Sequence, residues 1–166
     1  IATLTHKYVK VLEGLPTKVL DTRKTTPLIR FLEKEAVRIG GGVNHRMGLY
    51  DMIMLKDNHI DFAGGIKDAI HQTNLYLEKE KLDLKIEVET RDLSEVKEVL
   101  KVGQVHRIML DNFSYADLTT AVQMIDGKYE TEASGGINLD TVRHYAECGV
   151  DYVSVGALTH SVHNMD

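Results

Sequence analysis

The 166-residue sequence predicts an α/β protein whose six parallel strands form an open, incomplete β/α barrel. Two patterns predict this fold. Short apolar runs alternate with segments of helical periodicity, and two of the apolar runs carry charged residues at alternate positions. A third pattern concerns function, because polar residues follow every predicted strand. We expect one domain, residues 1–166.

The strands are predicted from apolar runs, each followed by a turn and then a helical pattern. The runs lie at residues 18–21, 52–55, 84–89, 107–110, 130–133 and 152–155. Helices between successive strands are what a parallel sheet requires.

Three of the intervening segments repeat apolar residues with the period of a helix, and we expect each stripe to face the sheet. The stripes are Leu28, Leu32, Ala36 and Ile39; Ile66, Ala69, Ile70, Thr73 and Leu77; and Leu118, Ala121, Val122 and Ile125. Helix starts are predicted at Asp92, Ser114 and Asn138, whose side chains suit the N-cap position.

The run at residues 85–89 distinguishes a barrel from a flat sheet. Its period of two places Ile86 and Val88 on one face and three charged residues on the other, and Glu130 and Glu132 repeat the pattern. Helices cover both faces of a flat parallel sheet, where such charges are costly, whereas the wet mouth of a barrel tolerates them. Six strands instead of the usual eight predict an open barrel.

Composition excludes some classes of function. The formal net charge is −5, which argues against a nucleic-acid partner. No apolar run approaches the roughly 20 residues that span a bilayer, and no signal segment is recognisable, so we expect no membrane association and a cytoplasmic location. The chain opens on Ile1, and we expect it to be a fragment of a longer protein.

Cations are clustered in three segments that we expect to be loops, residues 21–27, 40–46 and 56–59. Taken singly, each cation could belong to a solvated surface. Together they predict a pocket for a small anion, because an arginine fork matches a carboxylate and a lysine adds a point charge. A ligand with two carboxylates suits the set, which consists of Arg23, His45, Arg46 and Lys56.

Glycines follow the last two strands, at residues 134–136 and at Gly156. The first of these could equally be a plain turn before a helix. Its position favours phosphate binding, because β/α barrels often hold phosphate on the loops after their last strands. We expect His160 to face the same phosphate.

Glu89 and Asp111 end the third and fourth strands. They could be halves of buried ion pairs, or they could bind a sugar and Mg2+. Mg2+ usually takes one or two carboxylates together with substrate phosphates, which suits a phosphate site.

The chain resembles the quinolinate phosphoribosyltransferase family over essentially its whole length. The resemblance rests on residues 21–30, 41–51, 55–60, 87–89, 110–112, 132–136 and 154–161. The stretch from Asn44 to Ile60 is the most specific part.

The resemblance implies that quinolinate and phosphoribosyl pyrophosphate give nicotinate mononucleotide, pyrophosphate and carbon dioxide, with Mg2+, in NAD synthesis. Quinolinate would be held by Thr22, Arg23, His45, Arg46 and Lys56. Phosphoribosyl pyrophosphate would be held by Lys24, Glu89, Asp111, Ser134, Gly135, Gly136, Val155, Gly156, Ala157 and His160. The catalytic residues would be Lys24, Lys56, Glu89 and Asp111, and the last two would bind the metal.

The chain also differs from the family in two ways. Leu28 stands where the family commonly has glycine. Family members carry an N-terminal sandwich domain that donates an arginine into the site of a neighbouring subunit, so we expect a barrel domain without that domain and without the C-terminal tail, and a homodimer or higher oligomer. Two alternatives stay open: a lyase that uses Lys56 as a Schiff-base nucleophile, and a paralogue outside NAD synthesis, such as a molybdenum-transport-associated protein.

Overall fold

The computed structural model describes residues 1–162 of the chain. In chain order the elements are α1 (Ala2–Val11), β1 (Lys18–Leu20), α2 (Arg30–Ile39), β2 (Ile53–Leu55), α3 (Asp57–Ala63), α4 (Ile66–Glu80), β3 (Ile86–Thr90), α5 (Leu93–Val102), β4 (Arg107–Asp111), α6 (Tyr115–Ile125), β5 (Glu130–Ser134), α7 (Val142–Glu147), β6 (Tyr152–Ser154) and α8 (Ala157–His160). Among the helices described, none is long and apolar enough to cross a membrane.

All six strands are parallel and lie in the order β1-β6-β5-β4-β3-β2. The two edge strands of this order are not paired with each other; β1 is instead bridged by Val43 through Leu20. This is the open six-stranded barrel that the sequence predicts.

The register arranges the inner side chains in rows. Glu87 aligns with Arg107, and Arg107 aligns with Glu130. One row higher, Met109 aligns with Glu132. Neighbours in register share a face of the sheet, so charged groups from three strands meet inside the barrel.

Two of the three predicted helix caps are confirmed. The Asp92 carboxylate accepts hydrogen bonds from the N–H groups of Ser94 and Glu95 at the start of α5, and the Ser114 hydroxyl accepts one from Asp117 at the start of α6. Each cap satisfies backbone donors that the first helical turn leaves free.

The cap predicted at Asn138 is wrong, because α7 begins at Val142. The Asn138 Oδ1 atom accepts hydrogen bonds from the N–H groups of Asp140 and Thr141, at 2.9 and 3.1 Å. This is the local turn that asparagine often forms, and it delays the helix by several residues.

The apolar stripes of α4 and α6 face the core as predicted. Ile66, Ile70 and Leu77 are buried on α4, and Leu118 and Ile125 are buried on α6. The long apolar repeat on each helix meets the outer face of the sheet.

The stripe predicted on α2 is wrong. Leu28, Leu32 and Ile39 are exposed to 103%, 58% and 69%. The buried residues of α2 are instead Glu33 and Lys34, together with Val37. A helix that presents charges inward and leucines outward requires buried partners for those charges.

The segment at residues 56–59 was expected to be a loop, but α3 begins at Asp57. Lys56 is the N-cap of this short helix, and its backbone N–H donates to His59 Nδ1 at 3.1 Å. The helix therefore fixes the direction in which Lys56 leaves the end of β2.

Candidate functional site

The carboxyl ends of the strands surround a cavity of about 780 Å3. All but one of the residues that the sequence assigns to the site line this cavity. The lining residues among them are Thr22, Arg23, Lys24, His45, Arg46, Lys56, Glu89, Asp111, Ser134, Gly135, Gly136, Gly156, Ala157 and His160. The exception is Val155, whose side chain is buried and whose N–H donates to the Leu20 carbonyl at 2.9 Å.

Sequence reasoning missed several lining residues. They are Met54, Met109, Asn112, Glu132, Ile137 and Ser154. Four of them, Met54, Met109, Glu132 and Ser154, lie on the inner face of the sheet, so an explicit register would have found them. We call the part formed by Arg23, His45 and Arg46 the acceptor side, and the part formed by Lys24 and the turns at 134–136 and 156 the donor side.

Two arginines lie close together on the acceptor side. Burial and the neighbouring Arg23 guanidinium lower the pKa of Arg46. Arg46 Nη1 donates to the Met52 carbonyl at 2.9 Å, but within residues 1–162 the buried Nε of Arg23 has no hydrogen-bond partner and neither arginine has an acidic one. Two adjacent cations with an unsatisfied donor are arranged for an anionic ligand.

A buried ion pair holds the acceptor side in place. Lys34 of α2 pairs with Asp21 after β1, and both side chains are almost completely buried. The Lys34 ammonium also donates to the His45 carbonyl at 2.9 Å, while the Asp21 carboxylate accepts from the His45 N–H at 2.8 Å and from the Asn44 amide at 2.6 Å. Burial lowers the pKa of Lys34, and Asp21 opposes that effect. The pair ties the turn at 44–46 to β1 and to α2.

Arg30 joins the two loops that carry the acceptor arginines. Its Nη2 donates to the Arg23 carbonyl at 3.3 Å and its Nη1 to the Met47 carbonyl at 3.1 Å. Its Nε donates to the Thr25 hydroxyl at 2.9 Å. One guanidinium thus fixes the spacing between the loop after β1 and the turn after Arg46.

Below the acceptor side lies a floor of buried charged groups. His45 Nε2 is 2.9 Å from Glu87 Oε2 and 3.3 Å from Glu132 Oε2, and Arg107 Nη1 donates to Glu132 at 3.2 Å. Both glutamates are fully buried. The expectation that these charges lie in a wet mouth is therefore wrong, because they are tolerated by pairing with a histidine and an arginine.

The protonation of this floor follows from the two nitrogens of His45. Burial lowers the pKa of His45, whereas the nearby Glu132 and Glu87 carboxylates raise it. The second proton would sit on Nδ1, which already accepts the Arg46 N–H at 2.7 Å. We therefore assign the ring as neutral, and the spare proton lies on Glu87, whose pKa is raised to about 7 by burial and by Glu132.

Within residues 1–162, His45, Glu87 and Glu132 are the one group of three or more His, Cys, Asp or Glu side chains whose ligand atoms lie close enough to share a metal ion. The hydrogen bond from Arg46 to Nδ1 leaves the ring proton on Nε2, which faces the carboxylates. A protonated Nε2 has no lone pair for a metal, so the cluster is a floor of closely packed polar groups and not a metal site.

Lys56 and Glu89 line the cavity and form an ion pair with each other. Next to them, at the end of β4, the Asp111 carboxylate accepts a hydrogen bond from the Asn112 amide at 2.7 Å. Each carboxylate thus commits one oxygen to a neighbouring side chain.

The turn at 134–136 requires glycine on the donor side. Gly135 has a φ of +105°, and a Cβ there would lie 2.1 Å from the Asn112 Oδ1 atom. The Asn112 N–H donates to the Ser134 carbonyl at 2.8 Å. Asn112 therefore packs directly on the turn and aligns Asp111 beside it.

The second donor-side turn brings Lys24 and His160 to Gly156. A Cβ at residue 156 would lie 2.9 Å from the His160 ring and 3.8 Å from Lys24 Cδ. The Thr159 hydroxyl donates to the Lys24 carbonyl at 2.7 Å. Three predicted phosphate-binding residues, from two distant segments of the chain, meet at one point.

A family model for the C-terminal domain of quinolinate phosphoribosyl transferase matches residues 1–166. The chain is 48% identical to the decarboxylating quinolinate phosphoribosyltransferase 1b of Nicotiana tabacum, and 47% identical to the chloroplastic carboxylating nicotinate-nucleotide pyrophosphorylase of Arabidopsis thaliana. Each match covers 100% of this chain and 51% of the relative, so the chain spans about half the length of these relatives.

Solved structures agree with these similarities. The NadC structure from Streptococcus pyogenes matches with a TM-score of 0.90 at 44% identity, covering 96% of this chain and 55% of that one. The nicotinate-nucleotide pyrophosphorylase of Ehrlichia chaffeensis matches with a TM-score of 0.92 at 39% identity, covering 99% of this chain and 58% of that one.

Proposed function

This chain belongs to the quinolinate phosphoribosyltransferase family, and on that premise we propose the reaction of the whole protein. It transfers phosphoribosyl from phosphoribosyl pyrophosphate to quinolinate with loss of carbon dioxide. The products are nicotinate mononucleotide and pyrophosphate, and the reaction is a step in NAD synthesis.

One observation carries the proposal. Arg23 and Arg46 lie side by side in a cavity, and the buried Nε of Arg23 has no partner within residues 1–162. Holding two like charges together is unfavourable unless a ligand neutralises them. A pyridine with two adjacent carboxylates supplies one negative charge for each arginine fork.

The acceptor needs orientation more than activation. Once Arg23 and Arg46 pair with its carboxylates, with Lys56 beside them, the ring nitrogen carries a free lone pair at neutral pH. Thr22 and the His45 ring complete the surface on which the acceptor lies. Placing the nitrogen against C1 of the ribose accounts for a large part of the acceleration.

Transfer forms a bond between the ring nitrogen and C1 while the bond from C1 to the pyrophosphate oxygen breaks. Lys24 and the turns at 134–136 and 156 receive the charge of the departing pyrophosphate. The carboxylates of Glu89 and Asp111 stabilise the positive charge that develops on the sugar.

Decarboxylation follows from the charge of the product ring. The bond between C2 and its carboxylate breaks, carbon dioxide leaves, and the electron pair stays on C2, where the cationic pyridinium stabilises it until a proton from solvent adds. Lys56 and Arg46 hold the remaining carboxylate in place.

The residues present fit the implied Mg2+. Glu89 and Asp111 line the same cavity at the ends of β3 and β4, and each commits one oxygen to a neighbouring side chain. Two carboxylates are a usual protein contribution for a cation that takes its other ligands from phosphate and water. Glu89 and Asp111 would hold the ion, which would neutralise part of the pyrophosphate charge.

The pairing of Lys56 disfavours the lyase alternative. A Schiff-base nucleophile must be a free amine, whereas the Lys56 ammonium is engaged by Glu89. Borohydride treatment in the presence of a carbonyl substrate separates the two, because a transferase forms no covalent adduct.

We further propose that the protein is a homodimer or higher oligomer with a site completed by a neighbouring subunit. Exposed apolar side chains lie on α2, just before it and in the turn after Arg46, and we call this set the α2 face: Leu28, Phe31, Leu32, Ile39, Leu49 and Tyr50. An apolar surface beside a charged cavity is typical of an interface. The cytoplasmic location stays a prediction.

The first test is chromatographic detection of nicotinate mononucleotide made by the full-length protein from quinolinate, phosphoribosyl pyrophosphate and Mg2+. Product establishes the transferase. Quinolinate binding without product would indicate a paralogue outside NAD synthesis, and no binding of quinolinate would overturn the assignment of the acceptor side.

A pair of variants tests the division of the cavity. Arg46→Ala should raise the KM for quinolinate at least tenfold and leave that for phosphoribosyl pyrophosphate within about twofold, because a buried charged contact is lost. Lys24→Ala should give the reverse. If either variant raised the KM values for both substrates equally, the division of the cavity into an acceptor side and a donor side would be contradicted.

A further inference from the structure

Two threonine hydroxyls join the flanks of β1 to the flanks of β6. Before the strands, Thr17 donates to the Val150 carbonyl at 2.7 Å. Beyond the strands, Thr159 donates to the Lys24 carbonyl, also at 2.7 Å. Both threonines are buried, being exposed to 5% and 2%. The two bonds are alike in chemistry and length but lie at opposite ends of the strand pair.

The cavity lies at only one of these ends. The strands pair from Lys18 with Tyr152 to Leu20 with Ser154, and the Val155 N–H then donates to Leu20. Within residues 1–162, the Thr159 bond is the one hydrogen bond that links the loop after β1, residues 22–26, to residues 156–161.

Lys24 has little else to hold its backbone. Its N–H donates to the Thr22 hydroxyl at 3.1 Å, which is a contact within the same loop. Its side chain is exposed, yet its Cδ lies 3.8 Å from the position of a Cβ at Gly156. The Thr159 hydroxyl therefore accounts for the placement of Lys24 over the Gly156 turn.

We propose that Thr159 is a positioning residue for Lys24. Its hydroxyl holds the loop after β1 against the Gly156 turn, so that the Lys24 ammonium and the backbone of the turn bind the same pyrophosphate group. This inference rests on the proposed function, because it assigns the donor side to phosphoribosyl pyrophosphate. It adds a residue that does not contact the substrate.

The test is the steady-state kinetics of Thr159→Val in the full-length protein. Valine keeps the shape and removes the hydroxyl, so the KM for phosphoribosyl pyrophosphate should rise about fivefold to tenfold, as expected for one hydrogen bond. The KM for quinolinate should change less than about twofold. Thr159→Ser restores a hydroxyl and should bring the donor KM back to within about twofold of the parent value.

Thr17→Val is the matched control. It removes the same kind of bond from the opposite end of the same strand pair, so its effect on the urea midpoint should equal that of Thr159→Val while both KM values stay unchanged. A rise in donor KM in Thr17→Val would overturn the proposal, because loosening of the strand pair would then explain it. Should Thr159→Val fail to fold, Thr159→Ala serves with the same criteria.

Binding of inorganic pyrophosphate, measured by calorimetry, keeps this inference separate from the proposed function. A parent protein that forms no nicotinate mononucleotide refutes the reaction but leaves the pyrophosphate comparison intact. Weaker pyrophosphate binding by Thr159→Val than by Thr17→Val supports the positioning role. Equal affinity in the two variants overturns it, whatever the activity.

Discussion

The acceptor side and the donor side of the cavity are held in place in different ways. On the acceptor side, buried charged side chains hold the turn at 44–46, through Lys34 paired with Asp21 and through Glu87 and Glu132 below His45. On the donor side, glycine turns and single hydroxyls place the backbone, as Gly135 and Thr159 do.

This difference determines how substitutions on each side affect stability. A buried charge without its partner is costly, so the acceptor network behaves as a unit and no member can be removed cheaply. Hydrogen bonds to carbonyl groups and tight turns act one at a time, and each contributes about 1 kcal/mol. Under the proposed function, the acceptor side binds one rigid dianion, and the donor side makes many small contacts around a larger substrate.

The largest effect should come from Lys34→Met. The change leaves the Asp21 carboxylate buried without its cation, which should lower the free energy of unfolding by about 3 to 5 kcal/mol. Urea unfolding followed by circular dichroism measures it.

The control for that change is Lys79→Met on the exposed face of α4, which should cost less than about 0.5 kcal/mol. A loss below about 1 kcal/mol in Lys34→Met would show that the acceptor side is not held by this pair.

The pH dependence of stability tests whether Glu87 carries the proton in the buried floor. The native pKa of Glu87 is about 7, above its usual range, so the folded state holds the proton more tightly than the unfolded state. The stability due to this proton is complete below about pH 4.5 and is lost as pH rises to about 7. Relative to Glu87→Gln, the parent protein should therefore lose up to about 3 kcal/mol over that interval, measured by urea unfolding in the presence of a chelator.

Glu98→Gln on the exposed surface of α5 is the matched change, and its stability should follow that of the parent protein across the same pH range. If Glu87→Gln also runs parallel to the parent, Glu87 is ionised throughout and the spare proton lies on His45.

On the donor side, Gly135→Ala should cost roughly 2 to 3 kcal/mol. The new Cβ would meet Asn112 at 2.1 Å while the backbone stays at a φ of +105°. Gly127→Ala isolates the backbone part, since residue 127 has a φ of +67° and no atom within 4 Å, and it should cost about 1 kcal/mol. Equal losses in the two variants would mean that Asn112 moves away freely.

Much of the architecture could be predicted because its signals are local. Apolar runs and helical stripes gave the strands and most helices, and the convergence of parallel strand ends placed the polar residues in one cavity. In the Asn44 to Ile60 segment, the clustering of cations predicted an anion pocket, and the family resemblance identified its ligand as quinolinate.

What could not be predicted depends on partners that are distant in sequence. The orientation of α2 is decided by Asp21, which lies 13 residues before Lys34 and is itself buried by the turn at 44–46. A helical wheel shows only the apolar stripe of α2, so it cannot show that burying Lys34 against Asp21 is favoured over burying the leucines. The floor was missed for the same reason, because Glu87 and Glu132 find their partners across the barrel and not along the strand.

The smallest effect should come from Leu28→Gly. Leu28 is fully exposed with a φ of +70°, a conformation that costs a leucine about 1 to 2 kcal/mol. Glycine removes this strain, but it also raises the conformational entropy of the unfolded chain, which offsets part of the stabilisation. The net gain should be about 0.5 to 1 kcal/mol in urea unfolding, with no gain in Leu28→Ala, which keeps the Cβ.

Leu28 also belongs to the α2 face, so the same variant sharpens the comparison of the two sides. If Leu28→Gly stabilises each subunit but shifts the full-length protein toward monomer in analytical ultracentrifugation, the strain is retained because the leucine contacts a neighbouring subunit. If it stabilises the subunit and leaves association unchanged, the α2 face lies outside the interface. The acceptor side would then depend on its buried charges alone, without support from a second subunit at this position.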